Sequence, residues 1–230
     1  MDGDTVVVTG ASRGIGAAVA RQFAADGAHV VICARDADAL EATAETIRDA
    51  GGSVTAMRAD VRDEFDVERL METAAREGGS IDVVVANAGV YHGSPGETPL
   101  TSESYAAFDD HIRTNARGVF TTVRESLPHL ADDARIVVPS GAIARDAKPG
   151  YGTYAVSKAT VEALARGFAA ELDQSVAIVD PGQVATDLAG SQGRDPEDVA
   201  PMFTWAATTA APDDVDGQVV DLKTWKRATN

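Results

Sequence analysis

A tyrosine and a lysine four residues apart are the side chains of this sequence best suited to proton transfer. Tyr154 and Lys158 stand in the segment Tyr-Ala-Val-Ser-Lys, and this spacing puts both on one face of a helix, about one turn apart. A neighbouring ammonium stabilises a phenolate, which lowers a phenol pKa that is about 10 when unperturbed. The pair predicts that Tyr154 acts as a general acid near neutral pH. The alternative for an isolated pair is an ordinary surface contact, so its neighbouring motifs matter.

A glycine-rich segment follows the first apolar run of the chain. Residues 9–16 read Thr-Gly-Ala-Ser-Arg-Gly-Ile-Gly and come directly after a predicted strand. Glycines let the backbone turn sharply and approach a pyrophosphate, while the free N–H groups and positive dipole of a helix start favour that anion. The spacing differs from the common dinucleotide fingerprint, and an ordinary turn is the alternative; the position after a strand favours phosphate binding. The predicted phosphate-binding residues are Gly10, Ser12, Arg13, Gly14, Ile15 and Gly16.

Strand-like and helix-like segments alternate along the chain, without repeats or linkers, which is typical of an α/β fold with helices on both faces of a parallel sheet. Apolar runs predict strands over residues 5–9, 30–34, 54–59, 81–86, 135–139, 176–179 and 218–222. Helical spacing predicts helices over residues 14–26, 36–50, 63–77, 102–130 (disturbed near Pro128) and 152–172. Right-handed crossovers then predict a single doubly wound Rossmann domain of about seven strands, spanning residues 1–230 and carrying both cofactor and substrate sites.

The composition favours one acidic domain and excludes several classes of site. A chain of 230 residues with 44% hydrophobic content is enough for one sizeable core but not comfortably for two. We expect a cytoplasmic protein without membrane contact, since no run of about 18 apolar residues and no basic leader segment is present. Cys33 is the single cysteine, so an intrachain disulfide and a thiolate-rich metal site are excluded. The four histidines form no ligand-like cluster in the sequence, and no metal is expected.

The charge balance is strongly negative. Asp and Glu number 36 against 20 Lys and Arg, for a formal net charge of −16, and this excess of acid makes nucleic acid an unfavourable partner. Most of the acids are Asp, and the chain has only four lysines. This bias resembles that of proteins from salt-loving archaea, whose acidic surfaces are screened by high salt. An acidic enzyme of a mesophile is the alternative.

Two further motifs follow predicted strands in a familiar order. Residues 86–89 read Ala-Asn-Ala-Gly after the fourth strand, and residues 180–186 read Asp-Pro-Gly-Gln-Val-Ala-Thr after the sixth. With the glycine-rich turn and the Tyr-Lys pair, they make nearly the whole chain resemble the short-chain dehydrogenase/reductase family, and within it the 3-oxoacyl-carrier-protein reductase-like group. Ala86 replaces the first Asn of the family's Asn-Asn-Ala-Gly element. The resemblance implies that the cofactor is contacted by Asn87, Ala88, Gly89, Tyr154, Lys158, Pro181, Gly182, Val184 and Thr186.

The resemblance also implies two supporting catalytic residues. Asn115, in the segment Asn-Ala-Arg-Gly, matches the family's asparagine that anchors a water between the lysine and solvent. Ser140 is the candidate for the serine that holds the substrate oxygen, although it lies fourteen residues before Tyr154 and the family's usual interval is thirteen. Either the loop 141–151 carries one extra residue and Ser140 is catalytic, which we favour, or Gly141 aligns directly and the serine is missing.

Residues at or just after the ends of the first three predicted strands indicate which cofactor is bound and which residues contact its adenine. Ala34 stands where NAD-preferring members of the family have an acid that binds the ribose. Arg13 and Arg35 could both face a 2′-phosphate, which suits a guanidinium by charge and geometry, so NADP(H) is preferred over NAD(H). The alternatives are that both arginines are solvated surface charges, or that Asp36 binds the ribose hydroxyls. Asp60 and Val61 match the family's adenine-contacting pair.

The combined expectation is an NADPH-dependent oxidoreductase that interconverts a carbonyl and a secondary alcohol of a small molecule. Tyr154 would serve as the acid, with Ser140, Lys158 and Asn115 in support. Rossmann folds host many functions, so a non-catalytic NADP(H)-binding regulator is the alternative. The resemblance implies a homodimer or homotetramer. We expect loops 91–99, 142–151 and 188–194 to form the rim of the substrate pocket.

Overall fold

Seven strands pair in parallel into one sheet in the computed structural model, which describes residues 1–229. In chain order they are β1 (Thr5–Thr9), β2 (His29–Ala34), β3 (Ser53–Arg58), β4 (Ile81–Val85), β5 (Leu130–Pro139), β6 (Ser175–Asp180) and β7 (Val219–Asp221). Their order across the sheet is β3-β2-β1-β4-β5-β6-β7. The predicted doubly wound Rossmann fold is confirmed. The order reverses between β1 and β4, and a ligand crevice is expected there, outside the carboxyl ends of the strands.

Nine α-helices lie among the described residues, around this sheet. They are α1 (Gly14–Ala25), α2 (Ala37–Asp49), α3 (Glu64–Gly78), α4 (Tyr105–His111), α5 (Gly118–Ser126), α6 (Gly152–Glu171), α7 (Pro196–Thr204), α8 (Pro212–Val215) and α9 (Leu222–Thr229). Buried side chains of α1, α2 and α7 form one core cluster with the sheet, and those of α3, α5 and α6 form the other. Because both faces are covered, β1 is buried along its whole length, as strands of parallel sheets are. Among residues 1–229, no helix is long and apolar enough to cross a lipid bilayer.

The predicted long helix over residues 102–130 is divided into several pieces. Helix α4 passes into a π-helical turn at Ile112–Arg117, α5 follows, and a 3₁₀ turn at Leu127–His129 precedes β5. The disturbance at Pro128 is therefore present, but the wider turn around Asn115 lies earlier in the chain. Such π-helical turns inside α-helices are often found at functional sites.

The carboxyl-terminal region contains helices that the apolar pattern does not reveal. Asp195 caps α7 by accepting a hydrogen bond from the N–H of Glu197, and Pro196 occupies the first turn, where its missing donor costs nothing. The last strand is shorter than the predicted 218–222, because α9 begins at Leu222. Trp225 of α9 packs against the core cluster that contains α1.

Hydrogen bonds join the ends of β1 and β4, where the strand order reverses. The Thr9 hydroxyl oxygen accepts from the N–H groups of Asn87 (3.0 Å) and Ala88 (3.1 Å). In return the Asn87 amide donates to the carbonyls of Thr9 (2.9 Å) and Gly10 (3.2 Å). A Cβ on Gly16 would lie 2.4 Å from this amide nitrogen and from the Gly10 oxygen. Glycine is therefore required here because the first turn of α1 touches the β4 loop.

The substitution Thr9→Val tests this junction. It removes an acceptor that is 1% exposed, which leaves the Ala88 N–H without its partner and the Asn87 N–H with the Val85 carbonyl alone (2.9 Å), so the free energy of unfolding should fall by about 1–3 kcal/mol. Urea unfolding would measure the change. Thr46→Val on α2 is the matched control, since its hydroxyl bonds a helix carbonyl at an exposed position and the change there should stay within about 0.5 kcal/mol. Equal losses in both variants would contradict the interpretation.

Candidate active site

A cleft of about 790 Å³ opens at the carboxyl ends of the strands. Its position at the strand-order reversal is where α/β sheets bind ligands. All of the sequence-predicted site residues except Asn115 line it. The cleft therefore brings together four segments that lie far apart in the chain, namely the glycine-rich turn, the loops after β4 and β6, and the first turns of α6.

The glycine-rich turn fits a phosphate group. Arg13 is the N-cap residue of α1, and its side chain makes no capping hydrogen bond. The first turn also carries no acid, so its N–H groups and the positive end of the helix dipole are available to an anion. Gly10 has φ +69°, and a Cβ there would lie 2.7 Å from the Ala88 Cα. These features fit the pyrophosphate of a dinucleotide.

Helix α6 places Tyr154 and Lys158 on the wall of the cleft. Both side chains are half-buried, and the Lys158 Nζ lies 5.9 Å from the centre of the Tyr154 ring. The same ammonium donates a hydrogen bond to the Pro139 carbonyl at the end of β5 (3.1 Å). The helical spacing therefore puts the two groups in one place, as predicted, and β5 fixes the lysine head group.

The protonation of this pair differs from the expectation. Burial raises the pKa of Tyr154 above its ordinary value, and the neighbouring Tyr91 adds to the rise. The predicted lowering by the ammonium is wrong for this state of the protein, because the phenolate loses its hydration. Burial also lowers the pKa of Lys158 to about 8, against the opposing effect of the Glu162 carboxylate. Near neutral pH Tyr154 therefore keeps its proton and Lys158 is mainly charged.

Asn115 lies behind the cleft wall, in the π-helical turn. Its Oδ1 accepts from the Val90 N–H (2.7 Å), and its Nδ2 donates to the Val90 carbonyl (3.0 Å) and to the Ser157 hydroxyl (2.9 Å). The Ser157 hydroxyl donates in turn to the Tyr154 carbonyl (2.7 Å). The amide thus ties the loop after β4 to the turn of α6 that carries the reactive pair.

Ser140 follows β5 and lines the cleft, but its hydroxyl is engaged elsewhere. It donates to the Glu162 carboxylate (2.8 Å), and the residue is only 9% exposed. Gly141 has an extended backbone, and a Cβ there would meet only Ile143, 4.0 Å away. The Ser140 hydroxyl could donate to a substrate oxygen only if it left Glu162. The next residue, Gly141, faces open space.

The groups expected at the adenosine end are also in the cleft. Arg35 and Arg13 line it, and Arg13 lies 3.5 Å from Asp187 in an exposed ion pair. The Asp36 carboxylate caps α2 by accepting from the Ala39 N–H (3.1 Å). This bond uses one carboxylate oxygen, and the exposed residue also lines the cleft, so Asp36 stays an alternative partner for the ribose hydroxyls. Burial alone would raise the pKa of Asp60, but hydrogen bonds from Arg62 outweigh it and lower that pKa.

An aromatic wall beside Tyr154 was not foreseen from the sequence. The Tyr91 ring centre lies 4.6 Å from that of Tyr154, and the buried His111 ring lies 6.2 Å away. The Tyr91 hydroxyl bonds the Thr98 hydroxyl (2.7 Å), which holds the rim loop against the ring. His111 lies 3.1 Å from the Glu103 carboxylate. Nothing in the spacing of these residues indicates that they meet.

Comparisons with known proteins agree with this arrangement. A family model described as short chain dehydrogenase matches residues 4–197. The chain belongs to the short-chain dehydrogenase family. An uncharacterized oxidoreductase of Methylorubrum extorquens is 34% identical to this short-chain dehydrogenase over 229 residues, which cover 96% of the chain and 91% of the relative. A solved short chain dehydrogenase from Burkholderia cenocepacia, in complex with NADP, has a TM-score of 0.86 and 28% identity and covers 97% of each chain.

Another relative is much longer than this short-chain dehydrogenase. The glycine betaine reductase ATRR of Emericella nidulans is 34% identical over 227 residues, which are 90% of this chain but 18% of the relative. Membership of the family makes the protein an oxidoreductase that binds a nicotinamide cofactor.

Titration of Lys158 can be followed in this short-chain dehydrogenase because the chain has only four lysines. In protein labelled with ¹³C at lysine Cε, the Lys158 signal should titrate near pH 8, because burial disfavours the ammonium. Carbon NMR over a pH series measures it, and the signal missing from Lys158→Arg gives the assignment. A Lys158 midpoint at the ordinary lysine value of about 10.4 would show that the side chain is hydrated instead.

Proposed function

We propose that this short-chain dehydrogenase is an NADPH-dependent reductase that converts a carbonyl group to a secondary alcohol and catalyses the reverse oxidation. One observation carries the proposal. A phenol that keeps its proton and an ammonium one helical turn away face the same cleft as an uncapped, glycine-rich helix start. A cleft for binding a dinucleotide alone requires the helix start but not the proton donor. The pair therefore favours catalysis over a regulatory role.

Tyr154 is the proposed proton donor. The glycine-rich turn and the loop 181–186 would hold NADPH, which would supply a hydride to the carbonyl carbon. As negative charge develops on the carbonyl oxygen, the Tyr154 hydroxyl gives its proton to that oxygen. The buried phenolate that remains requires a counter-charge, and the Lys158 ammonium provides one at close range.

Asn115 and the β5 end are proposed to position the reactive pair. Asn115 holds Ser157, which lies between Tyr154 and Lys158 on α6, and the Pro139 carbonyl orients the ammonium. Fixed placement of a donor lowers the entropic cost of the proton transfer. Ser140 stays a prediction as the second contact to the substrate oxygen, which its hydroxyl can reach only by leaving Glu162.

The cofactor preference is proposed to be NADP(H). Two guanidinium groups, of Arg13 and Arg35, stand at the adenosine end of the cleft, where a 2′-phosphate would accept bidentate hydrogen bonds. Ala34 offers no carboxylate to the ribose, and one oxygen of the Asp36 carboxylate is engaged in the α2 cap. The Burkholderia cenocepacia relative in complex with NADP supports the same choice by similarity.

Several aromatic and aliphatic side chains of the cleft are proposed to form its substrate end. Tyr91, Pro95, Ile143, Tyr151 and Leu188 line it, which suits a carbonyl compound with an apolar substituent. The 3-oxoacyl-carrier-protein reductase-like grouping, the salt-loving source and the cytoplasmic location stay predictions.

The predicted homo-oligomer is supported by exposed apolar side chains on three helices. Tyr105, Phe108, Phe120 and Val156, on α4, α5 and α6, are exposed apolar side chains. Exposed apolar groups on neighbouring helices are typical of contact surfaces between subunits.

Tyr154→Phe tests the catalytic role. Removing the proton donor should lower kcat at least about 100-fold while the Kd for NADPH stays within about twofold, since the ring and its packing remain. NADPH oxidation in molar salt, against a panel of aldehydes, ketones and 3-oxoacyl esters, would measure it. Tyr105→Phe is the control, because Tyr105 is exposed on α4. A wild-type protein that binds NADPH but reduces no compound of the panel would favour the regulator instead.

Arg35→Ser tests the cofactor preference. Loss of a charge-assisted contact to the 2′-phosphate is worth about 1.5–3 kcal/mol, so the Kd for NADPH should rise about 10- to 100-fold. The Kd for NADH should not change. Fluorescence titration of both cofactors gives the comparison, with Arg48→Ser as the control, since Arg48 pairs with Glu41 on the exposed face of α2. An equal rise for NADH and NADPH would place Arg35 away from the 2′-phosphate.

A further inference from the structure

One guanidinium joins the two loops that border the reactive end of the cleft. Arg145 lies just after the 3₁₀ turn Ala142–Ala144 that follows β5. Its Nη1 donates to the Glu162 carboxylate (2.6 Å), and its Nη2 donates to the Asp180 carboxylate. Glu162 is 2% exposed and Asp180 is 5% exposed. Two buried carboxylates from different elements therefore share one cation.

Each carboxylate is also fixed to a part of the site. Glu162 lies one turn after Lys158 on α6, and it accepts the hydroxyl of Ser140 (2.8 Å). Asp180 ends β6 and accepts the N–H of Gly182 (3.0 Å). Gly182 is the second residue of the loop 181–186, which lines the cleft and is expected to contact the cofactor. Arg145 thus connects that loop with the segment that carries Ser140.

Arg145 makes the side-chain attachment of the segment 141–148, which is followed by a second polar attachment at the Gly150 carbonyl, where Thr98 and Tyr91 donate. The backbone hydrogen bonds made by the N–H groups of Ala144, Arg145, Asp146 and Lys148 all end within the loop. Lys148 pairs with Asp146, also inside it. Within residues 1–229, the side-chain hydrogen bonds that leave the loop are those of Arg145. Ala142 and Ile143 of this loop line the substrate end of the cleft.

The charges make the contact strong. Both carboxylates are almost fully buried, so each requires a partner, and removal of the shared cation would leave Asp180 without a cation and Glu162 with only the longer contact to Arg166. Arg166 also approaches Glu162, but at 3.5 Å and from a side chain that is 52% exposed, and it does not touch Asp180. Arg145 is thus the contact that spans both sides of the cleft.

We propose that Arg145 is a positioning residue that couples the loop 181–186 to the loop 141–148, so that NADPH binding orders the substrate side of the cleft. For the coupling between the loops, this inference rests on one part of the proposed function, the binding of NADPH. When a cofactor holds the loop 181–186, Asp180 is held with it through Gly182, and Arg145 extends the restraint to Ala142 and Ile143. The carbonyl substrate then binds to a loop that is already ordered.

Hydrogen exchange of the full chain, with and without NADPH, measures this coupling. In the wild-type protein NADPH should slow exchange in peptides that cover residues 10–16 and in peptides that cover 141–148, by about fivefold or more in the second, the lower end of usual couplings between sites. In Arg145→Met the protection at 10–16 should remain and that at 141–148 should disappear. The same variant should raise KM for the carbonyl substrate while the Kd for NADPH changes by less than about twofold.

Arg166→Met is the matched control, since it removes a cation from the same Glu162 without touching the second loop. It should keep both protected regions. The lysine of Arg145→Lys reaches one carboxylate at a time, so this variant should lose most of the protection at 141–148. If Arg145→Met fails to fold, Arg145→Lys tests the role of Arg145 in its place. A purely structural role would lower the melting temperature but leave the NADPH-dependent protection of 141–148 intact.

The outcomes separate the two proposals. Protection at 10–16 without protection at 141–148 in the wild-type protein overturns the coupling and leaves the cofactor assignment standing. Protection at 141–148 that persists in Arg145→Met and Arg145→Lys overturns the role of Arg145. Absence of protection at 10–16 in the wild-type protein removes the NADPH binding on which both proposals rest.

Discussion

The hydrogen bonds between Thr9 and Asn87 hold together the two strands between which the site opens. Parallel strands need crossovers, and in this sheet the crossovers leave β1 toward one edge and β4 toward the other. The loops after these two strands therefore diverge and leave a crevice. The Thr9 hydroxyl and the Asn87 amide join the ends of the two strands beside that crevice, and Gly16 lets α1 approach them. The position of the phosphate end of the cleft follows from this one junction.

Burial then decides the chemistry at the other end. The same desolvation acts in opposite directions on the two reactive groups, because one is charged when it loses a proton and the other when it gains one. The pKa of Tyr154 rises and that of Lys158 falls to about 8. A phenol that holds its proton is suited to donation, and an ammonium of reduced pKa still carries charge near neutral pH. The proposed carbonyl reduction uses both properties.

Charge is distributed very unevenly between the surface and the site. The chain carries a net charge of −16, yet the buried carboxylates of Glu162 and Asp180 share the Arg145 guanidinium. Surface acids are hydrated and screened by salt, whereas buried ones need a fixed partner. The buried ion pairs of Arg145 therefore constrain the loops 141–148 and 181–186, whereas the surface charge affects association and solubility. This contrast explains why one arginine among many acids can have a specific positioning role.

The sequence determined the strands, most helices and the placement of the motifs that follow the strands. The strand β1 agrees with its predicted bounds, and most others agree within one or two residues, because alternation of apolar runs and breakers is local information. The position of Tyr154 and Lys158 on one helix face follows from spacing alone. Helix α7 escaped prediction because its interior contains Pro201 and its apolar pattern is short.

Tertiary structure alone decided how the site residues are used. The Ser140 hydroxyl turns to Glu162, 22 residues away in the chain, and Arg145 reaches Asp180 across 35 residues. The ring of Tyr91 meets that of Tyr154 from a separate loop. The side-chain direction and the pKa both depend on neighbours that folding brings together, and the phenol pKa rose although local spacing predicted a fall. Local spacing determines which helix face a residue occupies, whereas burial and hydrogen-bond partners depend on distant segments that only the packed fold assembles.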